Sequence, residues 1–418
     1  MAKHVLQTCF KEEALHDCRQ SIIRLSERSL AKFLNKRSAA QVKQIFSDTS
    51  SPFYLEEWVN QFSLMVKRDA KVKLDASCLS KHPAAQNIMF HRKAINAMYS
   101  PCFDELKNRI LGSLNDNINF FTEMDNSKFA DIVSAQLGND DVYHVGEVDF
   151  SKFDKSQDIF VKEYERSLYA SFGFDPELLD IWMQGEYVGK ATSLDHKLKF
   201  SVDCQRRSGA SNTWIGNSLV TLGILAMYYR VSDLSALYIS GDDSLMYSTE
   251  PIPNHAEEIC FEMGFDTKFL SPSVPYFCSK FVVQAGFKTF FVPDPYKLLV
   301  KLGASRAEVD PKELFEVFTS FRDLTKDFGD ERVVERLVNL VERKYSFSSS
   351  YTYSALCSIH CVRANFSSFC KLYRGYKGYW YLDNLRFFLY KHLGNISYEN
   401  IVTPLGRRIF AYMVDADD

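Results

Sequence analysis

The amino-acid sequence predicts an α+β fold: strands and helices alternate at its centre, the N-terminal region is mixed, and the C-terminal region is mostly helical. Three observations carry this. Short β-branched and aromatic runs separated by turn residues concentrate between about 142 and 300. Around them, and throughout the region beyond 303, apolar residues recur at three- and four-residue spacing. No Pro-, Gly- or Ser-rich linker interrupts the 418 residues, so one multi-lobed unit is expected.

Along the chain, residues 1–60 read as helical and polar, and 61–100 as strand or extended loop around the basic stretch VKRDAKVKLD. VYHVGEVDF, 142–150, reads as a strand ending in acid. A helix follows with Phe160, Tyr164 and Leu168 inward, then another that Asp175 caps with Pro176 at its first position. Residues 188–207 suit a hairpin ending in Gln205-Arg206-Arg207, and a long apolar helix runs from about Asn212 to Arg230. ALYISGDDSLMYS reads as a β-hairpin with Gly241-Asp242-Asp243 at its turn. Asn254 with Glu257 suggests a capping box, and Gly264 a helix end. Further short strands are expected over 276–301. Beyond them Asp310 and Asp330 cap helices that turn Leu314, Val317 and Phe321, then Val334, Leu337, Val338 and Val341, inward.

Composition excludes several classes. At 46% hydrophobic and 25% charged the chain is neither disordered nor fibrous. Its net charge of −3 gives no bulk attraction to nucleic acid, so any basic groove must be local. The longest apolar run, 219–229, falls short of the ~20 residues that span a bilayer, and the polar start does not read as a secretory signal. Ten cysteines without framework spacing read as reduced thiols of a cytosolic compartment. Cys357, His360, Cys361 and Cys370 are zinc-type residues. However, Cys357 and Cys361 stand at i, i+4 in an apolar helical pattern, which favours packing.

Three segments carry chemistry: Asp149-Phe-Ser-Lys-Phe-Asp154 at a strand end, Ser208-Gly209 through Thr213 to Asn217 running into a helix, and Ser240-Gly241-Asp242-Asp243-Ser244 in a hairpin. Singly, each is a common turn or cap. Together they concentrate acids that repel one another. Hard divalent cations relieve that repulsion, and two such ions suit phosphoryl transfer.

In this order, 59 and then 34 residues apart, the segments resemble motifs A, B and C of viral RNA-directed RNA polymerases. Lys67-Arg68-Asp69-Ala-Lys71-Val-Lys73-Leu-Asp75 resembles motif F of alphavirus-like plant viruses. Within that group the chain is most similar to closterovirus polymerases and next to tobamovirus-like ones. The resemblance covers about 60–300. It implies a right hand with an antiparallel-sheet palm: N-terminal extension and fingers over 1–141, palm with an inserted fingers segment over 142–300, helical thumb over 301–418.

The resemblance assigns Asp149, Asp242 and Asp243 to Mg²⁺, with Mn²⁺ as the alternative. Lys268, in GFDTKF, matches the motif D lysine that protonates pyrophosphate. Lys67, Arg68, Lys71 and Lys73 would neutralise the incoming triphosphate. Ser208 and Thr213 would contact backbone or sugar groups, and Gly209 would let its loop change shape. Asp154, where reverse transcriptases usually carry a bulky aromatic residue, and Asn217 would accept a ribose 2′-OH. Phe277-Cys278-Ser279-Lys280 resembles the motif E turn. These features weigh against a reverse transcriptase, and the intact Asp149 and Asp242 against an inactive RNA-binding relative. Expected partners are template and nascent RNA, ribonucleoside triphosphates, and a methyltransferase-helicase replicase protein, fused or bound. That protein would bring the chain to host membranes in cytoplasmic replication complexes, with residues 1–60 as the joining surface. Only 148 residues precede Asp149, fewer than complete fingers need, so the expectation is the downstream portion of a larger replicase.

Overall fold

In the computed structural model, which describes residues 1–49, 54–67, 86–138, 143–272, 274–303 and 311–373, apolar side chains gather into two cores. Each core belongs to one of two compact units, and neither unit is a continuous stretch of chain. The described residues of the first are 1–49, 54–67, 86–122 and 143–271; the rest form the second.

The first unit opens with short helices, Ala2–Cys9, Glu12–Arg19, Glu27–Asn35, Ala39–Thr49 and Leu55–Trp58. Its strands follow in chain order: β1 Gln61–Val66, β2 Asn87–Phe90, β3 Ile118–Phe120, β4 His144–Phe150, β5 Val188–Ser193, β6 Lys199–Asp203, β7 Ala236–Ser240, β8 Asp243–Ser248 and β9 Thr267–Leu270. They make a four-stranded sheet ordered β2-β1-β5-β6 and a five-stranded sheet ordered β3-β7-β8-β4-β9.

Between β2 and β3 the structure departs from the extended expectation, because Lys93–Ser113 is a helix of 21 residues. Ile95, Tyr99, Cys102, Leu106 and Ile110 fall on one buried face, and that 3.6-residue period outweighs the flanking charges. Helix Ile159–Ser171 forms as expected, but it buries Val161, Tyr164 and Leu168 and leaves Phe160 half exposed. Eight residues advance a helix about 80° past two full turns, whereas the seven from Val161 to Leu168 return almost to the same face. Asp175 caps Pro176–Tyr187 by accepting from the amides of Glu177 and Leu178. The apolar helix, Thr213–Tyr228, buries every residue from Ile215 to Ala226. Helix Ala256–Met263 ends at Gly264 with φ +73°, but its N-cap is His255, which pairs with Glu258, so the Asn254/Glu257 box does not form. Asn254 instead accepts from the amide of Ala256.

In the second unit, helix Asn126–Gln136 packs on the last strand of an antiparallel sheet: β10 Tyr276–Phe277, β11 Lys280–Ala285, β12 Lys288–Pro293. The strand expectation over 276–301 holds only to Pro293. Asp294 accepts from the amides of Tyr296 and Lys297 and starts the helix Pro295–Gly303. Helices Pro311–Leu324, Glu331–Tyr345, Ser349–Ala364 and Phe366–Tyr373 follow. The proposed cap Asp310 lies outside the described residues; Asp330 does cap, accepting from the amide of Arg332. Leu314 and Phe321 are buried, as are Val334, Leu337, Val338 and Val341. Cys357 lies within this core with Cys361 and Cys370 against it, and burial pushes the Cys361 thiol up to about 12. Among the described residues no helix is long and apolar enough to cross a membrane.

The buried imidazole of His91 makes the first unit acid-sensitive. Its Nε2 meets the Val59 carbonyl at 2.7 Å, and its ring lies against Phe62 and Trp182. Burial, with help from Arg207, lowers its pKa to about 4 against the opposing pull of Val59 and Glu186. Between that value and the ordinary 6.5 the unfolded chain binds the extra proton, so stability falls as pH drops through the window. From pH 7 to pH 5 the His91 contribution should fall by on the order of 2 kcal/mol in urea unfolding. His91→Gln should show a correspondingly smaller pH dependence; an unchanged slope would assign the acid sensitivity elsewhere.

Candidate active site at the end of strand β4 and the β7–β8 turn

Ser240 pairs with Asp243, so the β7–β8 loop has just two residues, Gly241 and Asp242. Gly241 takes φ +64°, which glycine adopts without strain and which the tight loop requires at its first position. The turn is fastened to the helix behind it. Ser218 accepts from the Gly241 amide and Thr221 donates to the Gly241 carbonyl, both at 2.9 Å. Trp214 Nε1 donates to Ser240, which in turn donates to the Phe121 carbonyl. Asp242 is thereby held at the tip and Asp243 at the first residue of β8.

Strand β4 brings the third acid. Val148 and Phe150 point into the first core, so alternation turns Asp149 to the other face, where it is exposed. The β4–β8 ladder runs His144↔Ser248, Val145↔Tyr247, Gly146↔Met246. Continued by three residues, this register sets Asp149 beside Asp243. Ser244 bridges the gap, accepting from the Val148 amide at 3.3 Å and donating to its carbonyl at 3.2 Å. On its other side β4 pairs with β9, and there Asp149 stands directly opposite Lys268. Residues paired in this way project to the same face, so the lysine accompanies the acids.

Asp154 and Asn217 also meet, with Asn217 Nδ2 donating to Asp154 Oδ1 at 2.9 Å. Asn217 is buried, and its Oδ1 accepts from Gln157 Nε2 and Arg206 Nε, each at 2.9 Å. Asp154 is the more exposed member, so the two are not equal readers of one group.

The segment before the Thr213–Tyr228 helix is fastened against β2. Ser208 donates to the Asn87 carbonyl, and the Gly209 amide to the Met89 carbonyl at 2.9 Å. A Cβ on Gly209 would stand 2.7 Å from the Met89 oxygen, so close approach is what requires glycine in this arrangement. Thr213 donates to the carbonyls of Arg207 and Ala210 at 2.8 Å. Both hydroxyls thus bond to this chain's own backbone. Exposed Lys67 extends the β1–β2 hairpin through its amide, which bonds to the Gln86 carbonyl; Arg68, Lys71 and Lys73 lie outside the described residues. In the second unit Cys278 and Ser279 both have positive φ and form the two-residue turn between β10 and β11.

Sequence reasoning passed over the support behind Asn217. Arg206 Nη2 donates to Glu165 at 2.6 Å, and Lys162 bridges Glu165 at 3.1 Å and Glu186 at 2.6 Å. All four side chains are buried. Burial opposes the charge of Glu186, but Lys162, Arg206 and Arg207 hold its carboxyl down at about 2. The charges are scattered over 45 residues; the one sequence signal is that Lys162 and Glu165 interrupt the apolar face of a helix.

Three carboxylates at neighbouring backbone positions are a hard-oxygen donor set, whose chemistry fits a divalent cation. Among the described residues no three His, Cys, Asp or Glu side chains converge to hold a metal. The three acids thus neighbour one another along the backbone without their side chains closing on one point.

A family model for RNA dependent RNA polymerase matches residues 1–372. The chain is 58% identical to a replicase polyprotein 1ab of Beet yellows virus over 98% of its length, and 39% identical to that of Grapevine leafroll-associated virus 3 over 88%. Both are closterovirus proteins. It is 32% identical over 75% of its length to a methyltransferase/helicase/RNA-directed RNA polymerase of Raspberry bushy dwarf virus. The chain spans only 13%, 14% and 19% of these relatives.

The fastening of the turn gives a direct test. Thr221→Val keeps the shape but leaves the buried Gly241 carbonyl without its donor, which should cost about 1–3 kcal/mol in urea unfolding. Unchanged stability would show that Thr221 does not hold the turn.

Proposed function

Because the chain belongs to the RNA dependent RNA polymerase family, we propose that it carries out template-directed RNA synthesis from ribonucleoside triphosphates in viral genome replication. The observation that carries this reading is the β4 acid, Asp149, paired opposite Lys268, on a strand whose ladder with β8 runs on toward Asp243 and the turn that holds Asp242. In the reaction the 3′-OH of the growing strand gives its proton to water and attacks the α-phosphorus, the P–O bond to pyrophosphate breaks, and pyrophosphate leaves. Lys268, as an ammonium beside the site, donates a proton to that leaving group. Asp154 accepts from the ribose 2′-OH, with Asn217 holding it.

Asp149, Asp242 and Asp243 would hold Mg²⁺, or Mn²⁺ in its place, which supplies Lewis-acid stabilisation of the reacting phosphoryl oxygens. Lys67, with Arg68 and Lys71, neutralises the triphosphate. Ser208, Gly209 and Thr213 shape the wall that faces template and nucleotide. In this reading residues 1–141 supply the extension and fingers, 142–300 the palm and 301–418 the thumb. The short share of its relatives that the chain spans fits a polymerase module joined to methyltransferase and helicase portions. Through them it reaches host membranes from the cytoplasm.

Primer extension on an RNA template tests the reading. Asp149→Ala and Asp242→Ala should each abolish elongation while leaving RNA binding within about twofold, because neither acid is placed to attract phosphate. Substantial elongation by Asp242→Ala would remove the metal assignment. Replacing Lys67 and Arg68 together with Ala should raise KM for NTP by about tenfold, and this KM should be salt-sensitive. An unchanged KM would return that stretch to an ordinary solvated surface.

A further inference from the structure

The hydrogen bonds around Asn217 have a direction. Lys162 is an ammonium and only donates; its Nζ lies 3.1 Å from Gln157 Oε1. That fixes the Gln157 amide with its NH₂ turned away from Lys162, where Nε2 donates to Asn217 Oδ1 at 2.9 Å. Arg206, which also only donates, reaches the same oxygen through Nε at 2.9 Å. With two donors on Oδ1, the Asn217 amide has one orientation, and its NH₂ faces Asp154 Oδ1 at 2.9 Å.

The donors are themselves anchored. Arg206 is gripped by Glu165, and Lys162 by Glu165 and Glu186, all in the buried cluster. Tyr169 donates to Glu165 Oε1 at 2.7 Å and completes its shell. Gly216 lets the helix pass over this cluster, because a Cβ there would collide with the Glu165 carboxylate. The chain of donors therefore ends on one oxygen of a half-exposed carboxylate.

We propose that Gln157, oriented by Lys162, is a positioning residue for sugar selection: together with Arg206 it sets the Asn217 amide so that Asp154 keeps one oxygen engaged and presents the other to a ribose 2′-OH. This rests on the polymerase reading and deepens it. Gln157 need not touch the nucleotide. Its effect is the polarity of a hydrogen-bond chain, so an isosteric change of polarity should alter sugar choice without emptying the site. In Gln157→Glu the side chain has no donor for Asn217. Its carboxylate then repels Asn217 Oδ1 while Arg206 Nε still donates to that oxygen, so the amide is pulled two ways and its hold on Asp154 loosens.

The test measures kcat/KM for an rNTP and the matching dNTP in primer extension by the full chain. The ratio within each variant is independent of the fraction of folded enzyme, so partial misfolding does not imitate the effect. Gln157→Glu should lower the rNTP/dNTP ratio on the order of tenfold, through loss of rNTP efficiency with dNTP efficiency within about twofold. Gln157→Leu, which removes the donor without adding charge and leaves Arg206 in place, should lower it less. If Gln157→Glu extends neither nucleotide, Gln157→Leu decides. An unchanged ratio, or equal losses for both nucleotides, would overturn the positioning role while leaving the polymerase reading intact. A wild-type chain that extends with neither nucleotide would overturn both.

Discussion

Two cations and two carboxylates buried side by side are the constraint on which the first unit's site depends. Lys162 and Glu165 come from one helix, Glu186 from the end of the next, and Arg206 from the segment that leads into a third. Such a cluster is tolerable only when every charge faces an opposite one, and removing a single partner from a buried pair costs about 3–5 kcal/mol. The cluster therefore works less as a source of net stability than as a locator. It admits one arrangement of its contributing segments, and that arrangement delivers Arg206 to Asn217 and Asn217 to Asp154. Asn212 joins it at the start of the helix through Glu186, 3.3 Å away.

The same apolar helix has a second task. Its buried hydroxyls, Ser218 and Thr221, satisfy both backbone groups of Gly241, so the turn that carries Asp242 is fastened from below by a rigid element. A carboxylate on an unsupported loop would relax away from its acidic neighbours, since like charges repel. Here repulsion is resisted by hydrogen bonds to the turn, by the Ser244 bridge between β8 and β4, and by Lys268 placed opposite Asp149. Charge that would destabilise a loose site is thus held at the surface of a firm one, where a cation can meet it.

How far the sequence could be read follows the range of the interaction concerned. Local hydrogen bonds were legible: Asp175 and Asp330 cap helices as their spacing indicates, and Gly241-Asp242 makes the turn that two apolar runs around GDD suggest. The strand read as ending in acid forms as β4, and its alternation turns Asp149 away from Val148 and Phe150. Errors arose where local signals compete. Charges around Lys93 masked a helical period, Phe160 stood on the shoulder of its helix, and His255 took the cap position that Asn254 had the residue type to hold.

By itself the sequence determined the elements, the chemistry of the acids and the order in which they arise, because periodicity, capping and turn formation act between residues a few positions apart. Tertiary structure alone decided which residues meet across the chain. The pairing of Asp149 with Lys268 depends on strand register, 119 residues apart. The meeting of Asp154 with Asn217 spans 63 residues and depends on helices brought together by a buried charge cluster. The requirement for glycine at 209 and 216 likewise comes from a neighbouring carbonyl and a neighbouring carboxylate. These are contacts of packing and electrostatics between distant segments, and the linear order of residues carries no distance from which to read them.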